Sequence, residues 1–337
     1  MRVKAVDIAR ELGLSKATVS LALNDKPGIS EKTRQEIIEC RERLQQGESG
    51  RPVQDRNMII KIVLVIRDLK IAYDSEMDLG TDVFALYDRE AKKRGYSVGV
   101  TYVNVLWDDM DALINECNSK MVAGVILVGT EMRPEDSKVF GRIEKPMVIS
   151  DNSLHNLNCY NVIADNRGGV LMAMERLFAA DKREIVYLAH QVDIFNFDQR
   201  RKEYREFIYE HNIETQTNKI VKIGTTTESV YRNMLDYIDK NKLPEAFLTE
   251  NYQVSIGVMR ALKSKKRSIP EDISMIGIDV LPSYVTMDCE LTTIKVPHTE
   301  RAEMVMMLLW REMERRDASK SVVMTKCQLI EGQSISG

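Results

Sequence analysis

The residues with the plainest chemical use stand near the start of the chain. Ser15, Lys16, Ala17 and Thr18 follow Gly13 and open a short segment of helical character. A cation and short hydroxyls in the first turn of a helix suit phosphate oxygens. Lys16 also suits a base edge, and Ala17 or the Thr18 methyl suits a thymine methyl. Thr18 and Ser20 are short donors of the kind that bind phosphate. Three elements must position these groups. Residues 4–11 predict a helix with Val6, Ile8, Ala9 and Leu12 as its apolar positions. Gly13 allows the positive φ of a sharp turn, and Ser15 caps a second helix over 16–23. Asn24-Asp25-Lys26-Pro27-Gly28 stops it, and Ser30 caps a third helix over about 31–45, with Ile37, Ile38 and Leu44 for its buried face. Helix, tight turn and helix have helix-turn-helix proportions, in which the second helix reaches base edges in the major groove. Two plain surface helices give the same outline.

Spacings for covalent chemistry are missing. There is no G-x-x-x-x-G-K-[ST], no G-x-G-x-x-G after a strand and no H-E-x-x-H. Ser49 and Ser334 lie in Gly/Ser-rich segments without the G-x-S-x-G of a nucleophile elbow. His155, His190, His211 and His298 are scattered, without metal-ligand spacing. The five cysteines are odd in number, widely spaced and free of C-x-x-C, which predicts reduced, mostly buried thiols. No enzyme, cofactor or metal is expected.

Residues 46–57, QGESGRPVQDRN, read as a linker. Beyond it, β-branched runs alternate with helical stretches. MIIKIVLVI (58–66) suits a strand buried on both faces of a parallel sheet. Strands over 97–103, 123–128 and 146–150 follow, with helices over about 75–94, 108–119 and 134–142 between. A second series has strands over 185–189, 219–223, 246–249 and 274–278, with helices over 166–179, 198–211, 227–239 and 253–265. The pattern predicts an α/β body of two doubly wound parallel sheets joined to a small all-α headpiece. Ligands in such sheets bind beyond the carboxyl ends of the strands, here between the lobes.

The net charge of −3 disfavours nucleic acid when taken whole, but not when divided. Residues 1–57 hold 11 Lys/Arg and 9 Asp/Glu, a net of +2; the remainder holds 37 and 42, a net of −5. No apolar run is long enough to span a membrane and the N-terminus lacks a signal-peptide core, so a cytoplasmic protein without membrane partners is expected.

The residues of 5–37 carry a specific resemblance. D-I-A at 7–9, G-L-S-K-A-T-V-S at 13–20, L-N at 23–24 and I-S-x-x-T-R at 29–34 resemble the headpiece of the lactose-repressor (LacI/GalR) family of bacterial transcriptional regulators. In the body, M-V-A-G-V-I-L-V (121–128), Asp165-Asn166-Arg167-Gly168-Gly169, the I-P-E-D-I-S-M-I-G-I-D of 269–279 and the L-T-T-I of 291–294 resemble family segments. The resemblance implies a repressor that binds palindromic double-stranded operator DNA as a homodimer. It implies DNA contacts from Ser15, Lys16, Ala17, Thr18, Ser20, Asn24, Ser30 and Thr33. It also implies a periplasmic-binding-protein-like body that takes a small sugar-like effector and, in one branch, a phosphocarrier corepressor. The domains expected are 1–45, the linker 46–57 and the body 58–337. Lobe 1 is placed at about 58–163 and 292–324, lobe 2 at about 164–291 and 325–337.

Position by position, the resemblance carries effector roles onto Arg200, Asn251 and Asp279, with Asn196 beside them. A fork donor, a mixed donor-acceptor and a carboxylate together suit neighbouring hydroxyls. Arg200 and Asp279 equally suit an interlobe ion pair. Tyr73, Phe195 or Tyr252 offer an apolar wall, and Asp74 lies beside Tyr73. Departures are as informative: Glu203 replaces a family Gly, Leu21 replaces a guanine-reading Arg, and 47–61 keeps only Arg51-Pro52 of the family's hinge. These departures leave open a module of the same fold with a vestigial headpiece. Because the family dimerises mainly through its first lobe, the helix predicted over 298–316, carrying Met304, Met306 and Met307, suits either the core or a subunit contact.

Overall fold

The computed structural model describes residues 4–45, 58–67, 79–213, 217–281, 289–315 and 319–337. The expected linker and the loop carrying Tyr73 and Asp74 lie outside the described residues.

The headpiece consists of α1 (Ala5–Leu12), α2 (Lys16–Leu23) and α3 (Glu31–Gln45). Gly13 ends α1 at φ 63°, and its position in the left-handed region lets Leu14 N–H return to the Ala9 carbonyl at 3.0 Å. Ile8, Ala9, Val19, Ala22, Ile37 and Cys40 form the small core. Ile37 is buried as expected, Ile38 is half-buried, and Cys40 takes the next place on that face. Arg34 fixes the α2–α3 turn, donating to the Ala22 carbonyl (3.2 Å), the Asp25 carboxylate (2.8 Å) and the Lys26 carbonyl (2.7 Å).

The body has two parallel-dominated sheets. Lobe 1 contains β1 (Ile59–Ile66), β2 (Ser97–Asn104), β3 (Val122–Val128), β4 (Met147–Ser150), β5 (Tyr160–Ala164) and, far downstream, β11 (Val322–Thr325), in the order β11-β5-β4-β3-β1-β2. Lobe 2 contains β6 (Ile185–His190), β7 (Ile220–Gly224), β8 (Ala246–Thr249), β9 (Ser274–Ile278), β10 (Thr292–Lys295) and β12 (Gln328–Ile330), in the order β12-β10-β9-β8-β6-β7. Among the described strands only β12 runs antiparallel, against β10. This is the two-sheet α/β architecture that the alternating pattern predicts.

The expected lobe boundary at 292 needs correction. β10 pairs with β9 in the second sheet, with Thr293 opposite Gly277, so the chain returns to lobe 1 only after Lys295. β11 then pairs with β5 through Thr325, opposite Ala164, which places Thr325 in lobe 1. The helix α11 (His298–Glu314) buries Val305, Met306, Leu308, Leu309 and Trp310 against lobe 1, packing on α4 (Leu79–Lys93) and β3–β5. The helix thus packs in the lobe core, and Met307 alone of its three named methionines is exposed.

The remaining helices cover the sheets: α5 (Met110–Cys117), the single turn α6 (Ser137–Phe140), α7 (Asn166–Ala179), α8 (Phe195–Glu210), α9 (Thr227–Lys240) and α10 (Tyr252–Ser264). α9 and α10 meet where Gly257 lies against α9. A Cβ there would stand 2.6 Å from Val230 Cγ1 and 2.8 Å from the Thr227 carbonyl oxygen. Gly257→Ala is therefore expected to cost about 1–3 kcal/mol through forced separation of the two helices. A lowered urea midpoint for lobe 2 checks this.

Candidate functional site

On α2, Val19 and Ala22 are buried while Ser15, Lys16, Ala17 and Ser20 are exposed. The face opposite the core is thus the face expected to meet nucleic acid. Ser15 Oγ accepts from Thr18 N at 3.0 Å and lies 2.8 Å from Thr18 Oγ1. Ser30 and Thr33 repeat this arrangement at α3, at 3.1 and 2.7 Å. Asn24 folds back, donating to the Ser20 carbonyl at 2.8 Å. The hydroxyls therefore cap helices while facing solvent, and Lys16 is the one exposed cation of the α2 face.

In the body, the strand ends of both lobes gather polar groups. Arg200 on α8 is buried. Its Nε donates to Asn166 Oδ1 (2.8 Å) and its Nη1 to the Glu250 carbonyl (2.6 Å). Among the described residues Nη2 has no hydrogen-bond acceptor. A guanidinium held by two neutral acceptors keeps one edge for a ligand. Asp279, just past β9, has φ 76°, an uncommon backbone state for a residue with a Cβ, and one often tied to function. Its Oδ1 lies 3.4 Å from His298 Nε2. Burial pushes this carboxyl up, but His298, Arg200 and Arg301 outweigh burial and hold it below the usual carboxylate range. Ionised Asp279 thus adds stability above that range, which is lost as pH falls through the depressed value.

Asn196 bridges the lobes. Its Oδ1 accepts from Asn166 Nδ2 (2.7 Å), and its own Nδ2 donates to the Asp151 carbonyl (3.3 Å). Phe195 is half-buried at the start of α8. Asn251 caps α10, accepting from Val254 N at 3.1 Å and donating to Gln253 at 3.1 Å. Its amide is committed to the helix end, and Tyr252 packs into the lobe-2 core rather than lining an open wall. Glu203, where the family has Gly, pairs with Arg167 Nε at 2.6 Å, so this departure is matched by a partner on α7.

Three groups escape a linear reading. Asp151 follows β4 at φ 70°, receives Arg301 Nη1 at 2.6 Å and accepts from Thr130 at 2.7 Å. Arg301 in turn donates to His298 Nδ1 at 3.2 Å. Glu250, fully buried, receives a two-toothed contact from Arg201 at 2.7 and 2.7 Å, with Tyr187 Oη (3.0 Å) and His190 N (2.7 Å) also donating. Burial pushes the Glu250 carboxyl up. Arg201, the His190 amide and the Arg200 charge oppose that push. The signal available for these groups was their place at strand ends (Asp151 after β4, Glu250 after β8) and the Arg200-Arg201 doublet.

Cys117 and Cys327 are pushed to about 11 and Cys159 to about 12 by burial, so these thiols stay protonated. Among the described residues no group of three or more His, Cys, Asp or Glu is placed to hold a metal. Among them, too, no helix is long and apolar enough to cross a membrane.

Known proteins share this arrangement. Residues 6–45 match "Bacterial regulatory proteins, lacI family", and residues 174–335 match "Periplasmic binding protein-like domain". Catabolite control protein A of Priestia megaterium is 21% identical over 96% of each chain. The HTH-type transcriptional repressor CytR of Escherichia coli K12 is 24% identical over 96% of this chain and 94% of its own. The lac repressor dimer bound to operator and an anti-inducer superposes with a TM-score of 0.70 at 18% identity, covering both chains fully. A CelR–cellobiose complex gives 0.68 at 18% identity over 99% of this chain and 100% of its own. With the headpiece, the two-sheet body and these matches in agreement, the chain belongs to the lacI family of bacterial regulatory proteins, as a transcriptional regulator with a helix-turn-helix and an effector-binding domain.

Proposed function

We propose that this regulator is a cytoplasmic repressor that binds a pseudo-palindromic operator as a homodimer and answers to a small polyhydroxylated effector in the interlobe cleft. The observation that carries the cleft reading is Arg200, whose Nη2 has no acceptor among the described residues and whose charge acts on the Asp279 carboxylate. A donor edge and an acceptor edge on one ligand face suit vicinal hydroxyls. The solved relative with cellobiose is consistent with such a ligand.

For the dimer, β2 supports lobe-1 pairing. It is an edge strand that exposes Val100 and Tyr102, and Leu106 and Trp107 are exposed just beyond it. An apolar sheet edge of this kind calls for a cover, and a second copy related by a two-fold axis supplies one. A phosphocarrier corepressor rests on the resemblance alone.

Anisotropy titration against palindromic operator DNA tests the reading. Lys16→Ala is expected to weaken binding on every sequence and to reduce the slope of log affinity against log salt by about 1, as removal of one phosphate contact does. Affinity matching wild type across salt would show that α2 is not the reading helix. Folded protein that binds no DNA even at low salt would favour a vestigial headpiece.

A further inference from the structure

We propose that His298 is a proton-operated latch that wires the effector-facing carboxylate of Asp279, in lobe 2, to Asp151, in lobe 1. The chain of contacts runs Asp279 Oδ1, His298 Nε2, His298 Nδ1, Arg301 Nη2, Arg301 Nη1, Asp151 Oδ1, with separations of 3.4, 3.2 and 2.6 Å between partners. Arginine has only donors, so Nδ1 must be an acceptor. The imidazole is therefore neutral, with its proton on Nε2, aimed at Asp279. His298 stands at the first position of α11, which belongs to lobe 1, yet it reaches a residue of lobe 2. Other groups face this chain. Tyr87 of α4 approaches Arg301 and Asp151 and is held as a neutral phenol by burial, its acidity pushed to about 12. Arg200 of α8 acts on Asp279 through space.

Protonation changes the pattern. Nδ1 would then carry a hydrogen against a guanidinium hydrogen at 3.2 Å, two donors and two like charges. Arg301 keeps Asp151, and the imidazolium turns its full charge on Asp279. One neutral relay becomes two separate ion pairs, the second of which ties the lobes together and occupies an oxygen of Asp279. Resting on the effector reading above, an effector that takes Asp279 must displace His298, so acid should weaken it.

The test needs no effector. Histidine carrying ¹⁵N in both ring positions is incorporated into the full chain, and the His298 signals are assigned by their loss in His298→Gln. The expected signature near neutral pH is an unprotonated Nδ1 and a protonated Nε2. Arg301→Met should raise the titration midpoint of His298 and Asp151→Asn should lower it, each by at least about half a pH unit, within the reach of a neighbouring charge. In the Arg301→Met background the Asp151→Asn effect should vanish, because Arg301 carries it. The opposite tautomer in the wild type, or a midpoint indifferent to Asp151, would overturn the latch. The tautomer is read on unmutated protein, so the latch stays testable even where a variant fails to fold. Failure here leaves the effector proposal standing, and a chain that binds no effector can still pass.

Discussion

Glu250→Ala is expected to destabilise lobe 2 by about 3–5 kcal/mol, because it removes the buried counter-charge of the Arg201 guanidinium and leaves it only the exposed Asp193 carboxylate. Arg201 is 3% exposed and Glu250 fully buried, so water cannot replace the lost partner. The same carboxylate orders the Tyr187 hydroxyl and the His190 amide, and its backbone carbonyl holds Arg200. The variant should therefore also loosen Arg200, the arginine proposed to meet the effector. Tryptophan fluorescence is the wrong probe, since Trp107 and Trp310 both stand in lobe 1. Hydrogen exchange at β6 and β8 reads the right lobe. The double variant Arg201→Met/Glu250→Leu should recover much of the loss, as apolar replacements of a buried pair often do. Equal protection in Glu250→Ala and wild type would mean the pair contributes nothing.

Arg200→Ala is expected to remove the effector response. A hydrogen bond to a charged group contributes about 1.5–3 kcal/mol, or roughly 10- to 100-fold in affinity. The loss also frees Asn166, and through it the bridge from Asn196 to Asp151. The check is a thermal-shift screen of sugars, sugar phosphates and nucleobases on the wild type, because a ligand that binds only the native state raises its apparent stability. The ligand that shifts wild type should fail to shift Arg200→Ala, while operator binding persists. Undiminished affinity in both Arg200→Ala and Asp279→Ala would place the effector elsewhere.

The fold was legible wherever a strand announced itself by composition. IIKIVLVI and VAGVILV are buried on both faces, and such strands are continuous apolar runs. β5, β11 and β12 were not legible. They have 5, 4 and 3 residues, and the last two are edge strands whose exposed positions break the pattern. β10 was misplaced for a related reason: LTTI shows its burial but not which sheet it completes. At the site, motif position alone names Arg200 and Asp279 as candidates, and both are buried. An Asn before a helix serves equally as cap and as ligand, and Asn251 caps α10. Asp151 meets Arg301 across a long stretch of chain within lobe 1, and His298 meets Asp279 only across the two lobes, which no spacing in the sequence expresses.

The late return of the chain to lobe 1 has a consequence for biosynthesis. Residues 59–164 supply five strands of the lobe-1 sheet, but the helix that covers Ile126, Val148 and Val162 spans His298–Glu314. A chain emerging from the ribosome must therefore carry an open apolar sheet face while all of lobe 2 is made. Because chains grow at about 5–20 residues per second, that face stays uncovered for several seconds at least. Chaperone dependence during synthesis should accordingly concentrate on nascent chains that end between about 165 and 300, and fall away once α11 has cleared the exit tunnel.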